Sequence, residues 1–222
     1  MHKTRLAAAV LISAVAAAGT AGCGGSSHPS ALTGTPTDIA DRAYQALGSA
    51  PSVTMTFTEN DGDAKSDVKL TLDAKGDCSG SFTSDAASFE ILKVGTTSWI
   101  KMSSETALIG LVGPDKAHRA VGKYLPLADH PNLASFVKAC DLKSEIAAED
   151  RPDAVTQVGT TTVDGIATAE FKEHDSGGDT LTWVTVRGAP EIVKIQTPQV
   201  TAYFSDYAKP VSFRAPSAAE VA

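Results

Sequence analysis

The chain has 222 residues, of which 19 are basic and 26 acidic, giving a net charge of −7; 42% of its residues are hydrophobic and 20% are charged. That balance belongs to a folded protein and excludes an intrinsically disordered one. A surface this acidic repels phosphate backbones and anionic headgroups, which argues against nucleic acid as a partner and against a polybasic patch for membrane docking.

The N-terminus carries the first functional signal. Met1 to Arg5 is short and basic, residues 6–18 form an uncharged apolar run of 13, and Gly19-Thr20-Ala21-Gly22-Cys23 follows at once. This is the pattern of a secretory signal with a cysteine at its cleavage point. Ala21 and Gly22 before Cys23 resemble a bacterial lipobox, with Thr20 standing where leucine is usual, and a lipobox implies a diacylglycerol thioether on Cys23. Two of the basic residues, Lys3 and Arg5, leave with the leader, so the mature chain of 200 residues has a net charge of −9. No apolar run reaches the length of a spanning helix, and the expected attachment is by two acyl chains. The division expected is a signal peptide at 1–22, a lipidated flexible tether at 23–36, one domain at 37–216 and a tail at 217–222. The tether is read from its small and polar residues, Gly24-Gly25-Ser26-Ser27-His28-Pro29-Ser30 and Gly34-Thr35-Pro36.

With Cys23 assigned to lipid, two cysteines remain in an exported chain, and their one possible pairing is Cys78–Cys140. The competing reading is a pair of free thiols. Neither cysteine has a histidine beside it to suggest a catalytic or metal role.

In chain order, a helix is expected after Pro36, capped by Thr37 and burying Ile39, Ala43, Ala46 and Leu47, with Gly48 ending it. Alternation then sets in, with Val53, Met55 and Phe57 on one face and threonines on the other, and Asn60-Asp61-Gly62-Asp63 supplies a hairpin. Further strands are expected around Val68, Leu70 and Leu72, then at 79–83, 89–94 and 97–102, joined by short turns. A helical middle follows, with 105–112 carrying Leu108, Ile109, Leu111 and Val112, a second stretch from His130 burying Leu133, Phe136 and Val137, and a third at 142–148. Strands resume at 155–162, 166–172, 180–186, 191–197 and 200–205, with Val211-Ser212-Phe213 as a possible edge strand.

Ten or eleven strands in two meanders, with helices between, predict one α+β domain. One face of the sheet is apolar and the other polar, and a sheet that wide curls to cover its dry face, drawing the short helices into the hollow. The expected architecture is a curled antiparallel half-barrel of about ten strands with short helices across its concave face, leaving an apolar cleft between the layers.

The second half of the chain carries a resemblance. Gly159-Thr160-Thr161-Thr162-Val163-Asp164-Gly165-Ile166-Ala167-Thr168, Leu181-Thr182-Trp183-Val184, Arg187-Gly188-Ala189-Pro190, Phe204-Ser205-Asp206-Tyr207 and Ala215-Pro216 resemble actinobacterial lipoproteins of the LppX and LprG group. That group is similar in fold to the periplasmic carrier LolA. The resemblance implies a half-open barrel with a lipid-binding cavity, and non-covalent carriage of acyl chains or lipoglycans through the envelope to an acceptor or transporter protein.

Enzyme chemistry has no motif here, with no G-x-S-x-G, P-loop, H-E-x-x-H or G-x-G-x-x-G. No catalytic residue, cofactor or metal is expected. His118, His130 and His174 read as surface histidines, and Glu170, Glu173, His174, Asp175 and Asp179 as loop charges without calcium-loop spacing. The candidate cavity lining is Val53, Met55, Phe57, Trp99, Leu108, Ile109, Leu111, Val112, Leu133, Phe136 and Trp183. The two tryptophans read as pocket lining or as core packing, and the 108–112 segment as a lid or as a buried helix. The functional expectation is a membrane-anchored extracytoplasmic carrier of lipids or lipoglycans. The alternative is an envelope interaction or sensor module with a filled core that binds a protein partner.

Overall fold

The computed structural model describes residues 32–61, 64–85, 87–130, 137–143, 154–175 and 178–222. The first helix, α1 (Pro36–Gly48), begins earlier than expected, and its cap is Thr35 rather than Thr37. Proline's fixed φ suits the first helical position, which moves the cap back by two residues. The Thr35 hydroxyl accepts from Asp38 N, and the Asp38 carboxylate accepts from Thr35 N at 2.9 Å and from its hydroxyl at 2.7 Å, a reciprocal capping box. Those Thr35 bonds hold the Asp38 carboxyl below its ordinary pKa. Leu32, inside the expected tether, packs against the core, so the chain is already docked before the helix starts.

Five strands follow: β1 (Ser52–Asp61), β2 (Ala64–Asp73), β3 (Cys78–Ser84), β4 (Ser88–Val94) and β5 (Thr97–Met102). Next come α2 (Glu105–Val112), α3 (Pro114–Ala120), the short strand β6 (Tyr124–Pro126) and a 3-10 turn at Leu127–Asp129. The second meander is β7 (Ala154–Val163), β8 (Ile166–Asp175), β9 (Gly178–Thr185), β10 (Ile192–Gln196) and β11 (Val200–Ser205). α3 and β6 were not foreseen. Gly113, at φ +79°, ends α2, and Pro114 at once opens the next helix, a corner too tight for the apolar period to reveal.

The eleven strands form one antiparallel sheet in the order β6-β5-β4-β3-β2-β1-β11-β10-β9-β8-β7, curled into a half-barrel that is not closed. Each meander is laid down in sequence, and β11 returns beside β1 to zip the two together. The register lines up apolar residues in rows on the inner face, toward the helices. Met55, Leu70, Gly80, Ile91, Ile100 and Leu125 make one continuous row. Phe57, Val68, Phe82, Phe89 and Met102 make another, which continues on the other side of β1 through Ala202, Ile195, Thr182 and Phe171.

Gly80 sits in the first of these rows because nothing larger fits. A Cβ there would collide with the Lys69 carbonyl oxygen and lie 2.5 Å from Leu70 Cδ2, so the Leu70 side chain occupies the space above the glycine. Gly80→Ala is therefore expected to cost about 2 kcal/mol, within the range of overpacking substitutions. Urea denaturation checks this, and an unchanged midpoint would contradict the packing described.

Apolar residues gather in two clusters on the inner face. The first places Ile39, Ala40, Ala43 and Leu47 of α1 against β1, β2 and the strands of the second meander, with Phe171, Leu70 and Ile192 fully buried. The second places Leu108 of α2 and Ala117 and Ala120 of α3 against Phe89, Ile91, Ile100 and Met102. The disulfide Cys78–Cys140, with Cα atoms 5.6 Å apart, ties the start of β3 to the turn at 137–140.

Val211-Ser212-Phe213 is not a strand. β1 already has partners on both sides, and the chain leaves β11 through Asp206 and Ala208 at positive φ, which turns it away from the ladder. The C-terminal residues instead reach β6. Tyr124 N donates to Glu220 O at 2.8 Å, Ala222 N donates to Tyr124 O at 3.0 Å, and Val221 forms a parallel bridge with Tyr124. Residues 217–222, read as a tail, thus cover one edge of the sheet.

Candidate binding site: the apolar seam between the two clusters

The two clusters meet at a seam. Phe82 and Val137 pack against both, and both are only partly buried. Phe57 packs on the first cluster, next but one to Phe82 in its row, while Leu111 and Val112 pack on the second, again partly exposed. The Phe82 and Phe89 rings stack with centroids 4.7 Å apart and planes 17° from parallel. The row Phe57, Val68, Phe82, Phe89 and Met102 carries no polar side chain across five strands. It lies toward the end of the sheet where β5 leaves for α2.

α2 is half committed to this surface. Ser104 caps it, accepting from Ala107 N, and Leu108 is fully buried. Leu111 and Val112 are half-buried, and Ile109 remains 43% exposed. A helix that shows Ile109 to solvent while its neighbours rest on a partly open apolar floor is neither a fully buried helix nor an ordinary amphipathic one.

On the far side of the hollow a small polar network is enclosed. Glu173 is buried, Tyr44 OH of α1 donates to its Oε2 at 3.1 Å, and Thr182 Oγ1 lies 3.5 Å from the same phenol. This network fixes α1 to β8 and β9. Tyr207 does the same for the C-terminal segment. Its OH donates to Ile192 O at 2.8 Å, and burial pushes the phenol pKa well above its ordinary value.

Of the residues singled out in the sequence, Val53, Met55 and Leu108 are buried on the inner face, Phe57 packs half-buried on the first cluster, Leu111 and Val112 pack half-buried on the second, and Ile109 faces solvent. Leu133 and Phe136 lie outside the described residues. Trp99 and Trp183 correct the expectation: both stand on the outer face of the sheet. Trp99 is paired with Leu92 and Pro126, one residue out of phase with Ile100 and Met102. Trp183 lies beneath Lys194, whose Nζ is 4.3 Å from the indole centroid and 2.7 Å from Gln196 Oε1. Period-two parity held the signal, since Lys101 shares the face of Trp99. The residues missed were Phe82, Phe89 and Met102, whose membership of one row depends on register rather than on any local pattern.

The histidines stand apart from the seam. His118 is exposed, 3.8 Å from Glu105 Oε2, and His174 Nδ1 lies 2.8 Å from Asp179 Oδ1. Lys172 Nζ lies 2.6 Å from the same carboxylate, and Lys172 and then His174 hold the Asp179 carboxyl below its usual pKa. Among the described residues no group of three metal-binding side chains converges, and no helix is long and apolar enough to cross a membrane.

No protein-family model matches the sequence, and no curated protein does. Among solved structures, the chain is similar to LprF from Mycobacterium bovis, with a TM-score of 0.55 and 15% identity, over 82% of this chain and 97% of that one. Looser superpositions reach the MucA/MucB complex of Pseudomonas aeruginosa, at a TM-score of 0.35 and 13% identity over 76% of this chain and 55% of that one. An outer membrane lipoprotein-sorting protein domain from Vibrio parahaemolyticus follows, at 0.25 and 9%, over 79% and 93%. The similarity to LprF shows a shared fold: an open, curled antiparallel sheet with short helices on its inner face.

Proposed function

We propose that this protein is a lipid-anchored, extracytoplasmic lipoprotein that holds the acyl chains of a lipid or lipoglycan in the hollow of its half-barrel and carries them within the cell envelope. The observation that carries this reading is the seam: two separate core clusters on one curled face, joined by a row of aromatic and aliphatic side chains with no polar group among them, in which Phe57 and Phe82 remain partly exposed. A single filled core has no reason to leave Phe82 and Val137, which touch both clusters, part-exposed beside Phe57. An acyl chain laid there gains about 0.8 kcal/mol for each methylene removed from water, so a dozen methylenes supply a useful affinity after the cost of ordering. The shared fold with LprF accords with this reading.

Cys23 supplies the proposed anchor. Leu32 is packed on the domain, so the chain back to Cys23 can reach at most about 30 Å, a length that would keep the domain close to the outer face of the cytoplasmic membrane. Titration of the soluble domain with a fluorescent long-chain fatty acid tests the binding function. Saturable enhancement, displaced by unlabelled phospholipid, is expected. A linear, non-saturable response would contradict the reading and favour a filled scaffold that engages a protein.

A further inference from the structure

The outer face of the first meander is unevenly exposed. The row Thr56, Lys69, Ser81 and Glu90 is open to solvent, as the wet face of such a sheet should be. The neighbouring row on the same face, Thr54, Thr71, Ser79, Leu92 and Trp99, has no exposed member, and Leu92 and Trp99 are only 7% and 9% accessible. α1, α2 and α3 pack on the opposite face, so they do not cover it.

The chain beyond β11 does. Its start is fixed to the outer side of β1: Ala208 N donates to Ser52 O at 2.9 Å and Ser52 Oγ donates to Lys209 O. The Asp206 carboxyl is held below its usual pKa by Lys209 first, and Thr54 and Lys69, both on the outer face, add to the effect. The far end of the segment is fixed to β6, where Glu220 O and Ala222 N take both backbone groups of Tyr124. From β1 to β6 is five strand spacings, about 24 Å, and the twelve residues from Lys209 to Val221 reach about 40 Å when extended. Ser52 and Tyr124 lie two residues to either side of the covered row, so the path between them crosses it beside Leu92 and Trp99. Val211 and Phe213 are half-buried while Ser212 and Arg214 are exposed, the alternation of an extended segment with one side down.

A latch closes the far end. Ser217 N and Ser217 Oγ each donate to Glu220 Oε2 at 2.7 Å, and Arg214 donates to Glu220 Oε1 at 3.5 Å, a turn that aims the Glu220 carbonyl at Tyr124. β6 depends on that grip. It is three residues long, and β5 is its one strand neighbour in the sheet. α2 and α3 lie on the link between β5 and β6, so whatever holds β6 also holds the far end of the helical pair whose Leu108, Ala117 and Ala120 complete the second cluster.

We infer that residues 206–222 are a strap that covers Trp99 and clamps β6, and through it α2 and α3, onto the sheet, and that release of the strap loosens the second cluster and lets an acyl chain leave the seam. The covering of Trp99 stands on the geometry alone. The control of release rests on the carrier reading.

The test compares two variants with their parent in a Trp183→Phe background, where Trp99 is the one tryptophan left. The first ends at Pro216; the second is Glu220→Ala, which keeps the whole strap and removes only the latch carboxylate. Acrylamide quenching of Trp99 in the lipid-free protein is expected to rise about threefold in the shortened chain and about 1.5-fold in Glu220→Ala. Dissociation of a fluorescent fatty acid is expected to be about tenfold faster in the first and about threefold faster in the second. Circular dichroism reports folding, and Glu220→Ala carries the test if the shortened chain does not fold. Quenching that stays at the parent value in the folded variants overturns the strap. Quenching that rises while dissociation is unchanged overturns its control of release. A parent chain that binds no acyl probe overturns the carrier reading and the release role with it, and the quenching alone then decides whether the strap covers Trp99.

Discussion

Replacing Cys78 and Cys140 together by alanine is expected to lower the folding free energy by about 4 kcal/mol, the loop-closure value for two residues 62 apart in sequence. For a domain of this size that corresponds to a fall of roughly 8–16 °C in the thermal midpoint. Both cysteines are essentially inaccessible, at 0% and 1% exposure, so the effect requires full loss of the covalent link rather than trimming of a surface group. The consequence reaches the seam. The turn at 137–140 carries Val137, which packs against both core clusters, and the disulfide fixes that turn to β3. The double variant should therefore release bound fatty acid faster even at temperatures where it remains folded. Differential scanning calorimetry and stopped-flow displacement check the two halves of the prediction. A midpoint within about 2 °C of the wild type would contradict the structural role assigned to the bond.

The second large effect is expected from Phe82→Asp. Phe82 is partly exposed, so the fold tolerates a polar residue there at modest cost. Its ring nonetheless bridges the two clusters and stacks on Phe89. A carboxylate at that point would be desolvated by an acyl chain with no cation opposite it among the residues of the row, and the chain would be rejected. Affinity for a long-chain fatty acid should fall by about a hundredfold, which is about 2.7 kcal/mol. Tyr203→Asp provides the control. Tyr203 is 39% exposed on the outer face, and its replacement should leave fatty acid affinity within about twofold of the wild type. Equal losses in the two variants would show that binding does not use the inner face.

Much of this architecture was readable before the structure. The strands at Thr97–Met102 and Val200–Ser205 and the helix at Glu105–Val112 follow directly from period and flanking turn residues, and Cys78–Cys140 follows from counting. The half-barrel follows from the width of a one-sided sheet. What could not be read locally was anything set by register. Trp99 looks like pocket lining in a strand that also carries Ile100 and Met102, and only pairing with Leu92 and Pro126 assigns it to the other face. Phe82 is a lone aromatic among glycine and hydroxyl residues, and its importance arises from standing beside Val68 and Phe89 in the ladder. Residues 217–222 carry no strand signal of their own. They dock because Tyr124 at the sheet edge offers an unpaired amide and carbonyl.

Native mass spectrometry of the soluble domain, purified from its own envelope under mild conditions and again after delipidation, tests the central claim most directly. The account predicts a reproducible mass increment that disappears on delipidation and returns when envelope lipid is added back. A bare mass in every preparation, with no uptake of any lipid offered, would contradict it.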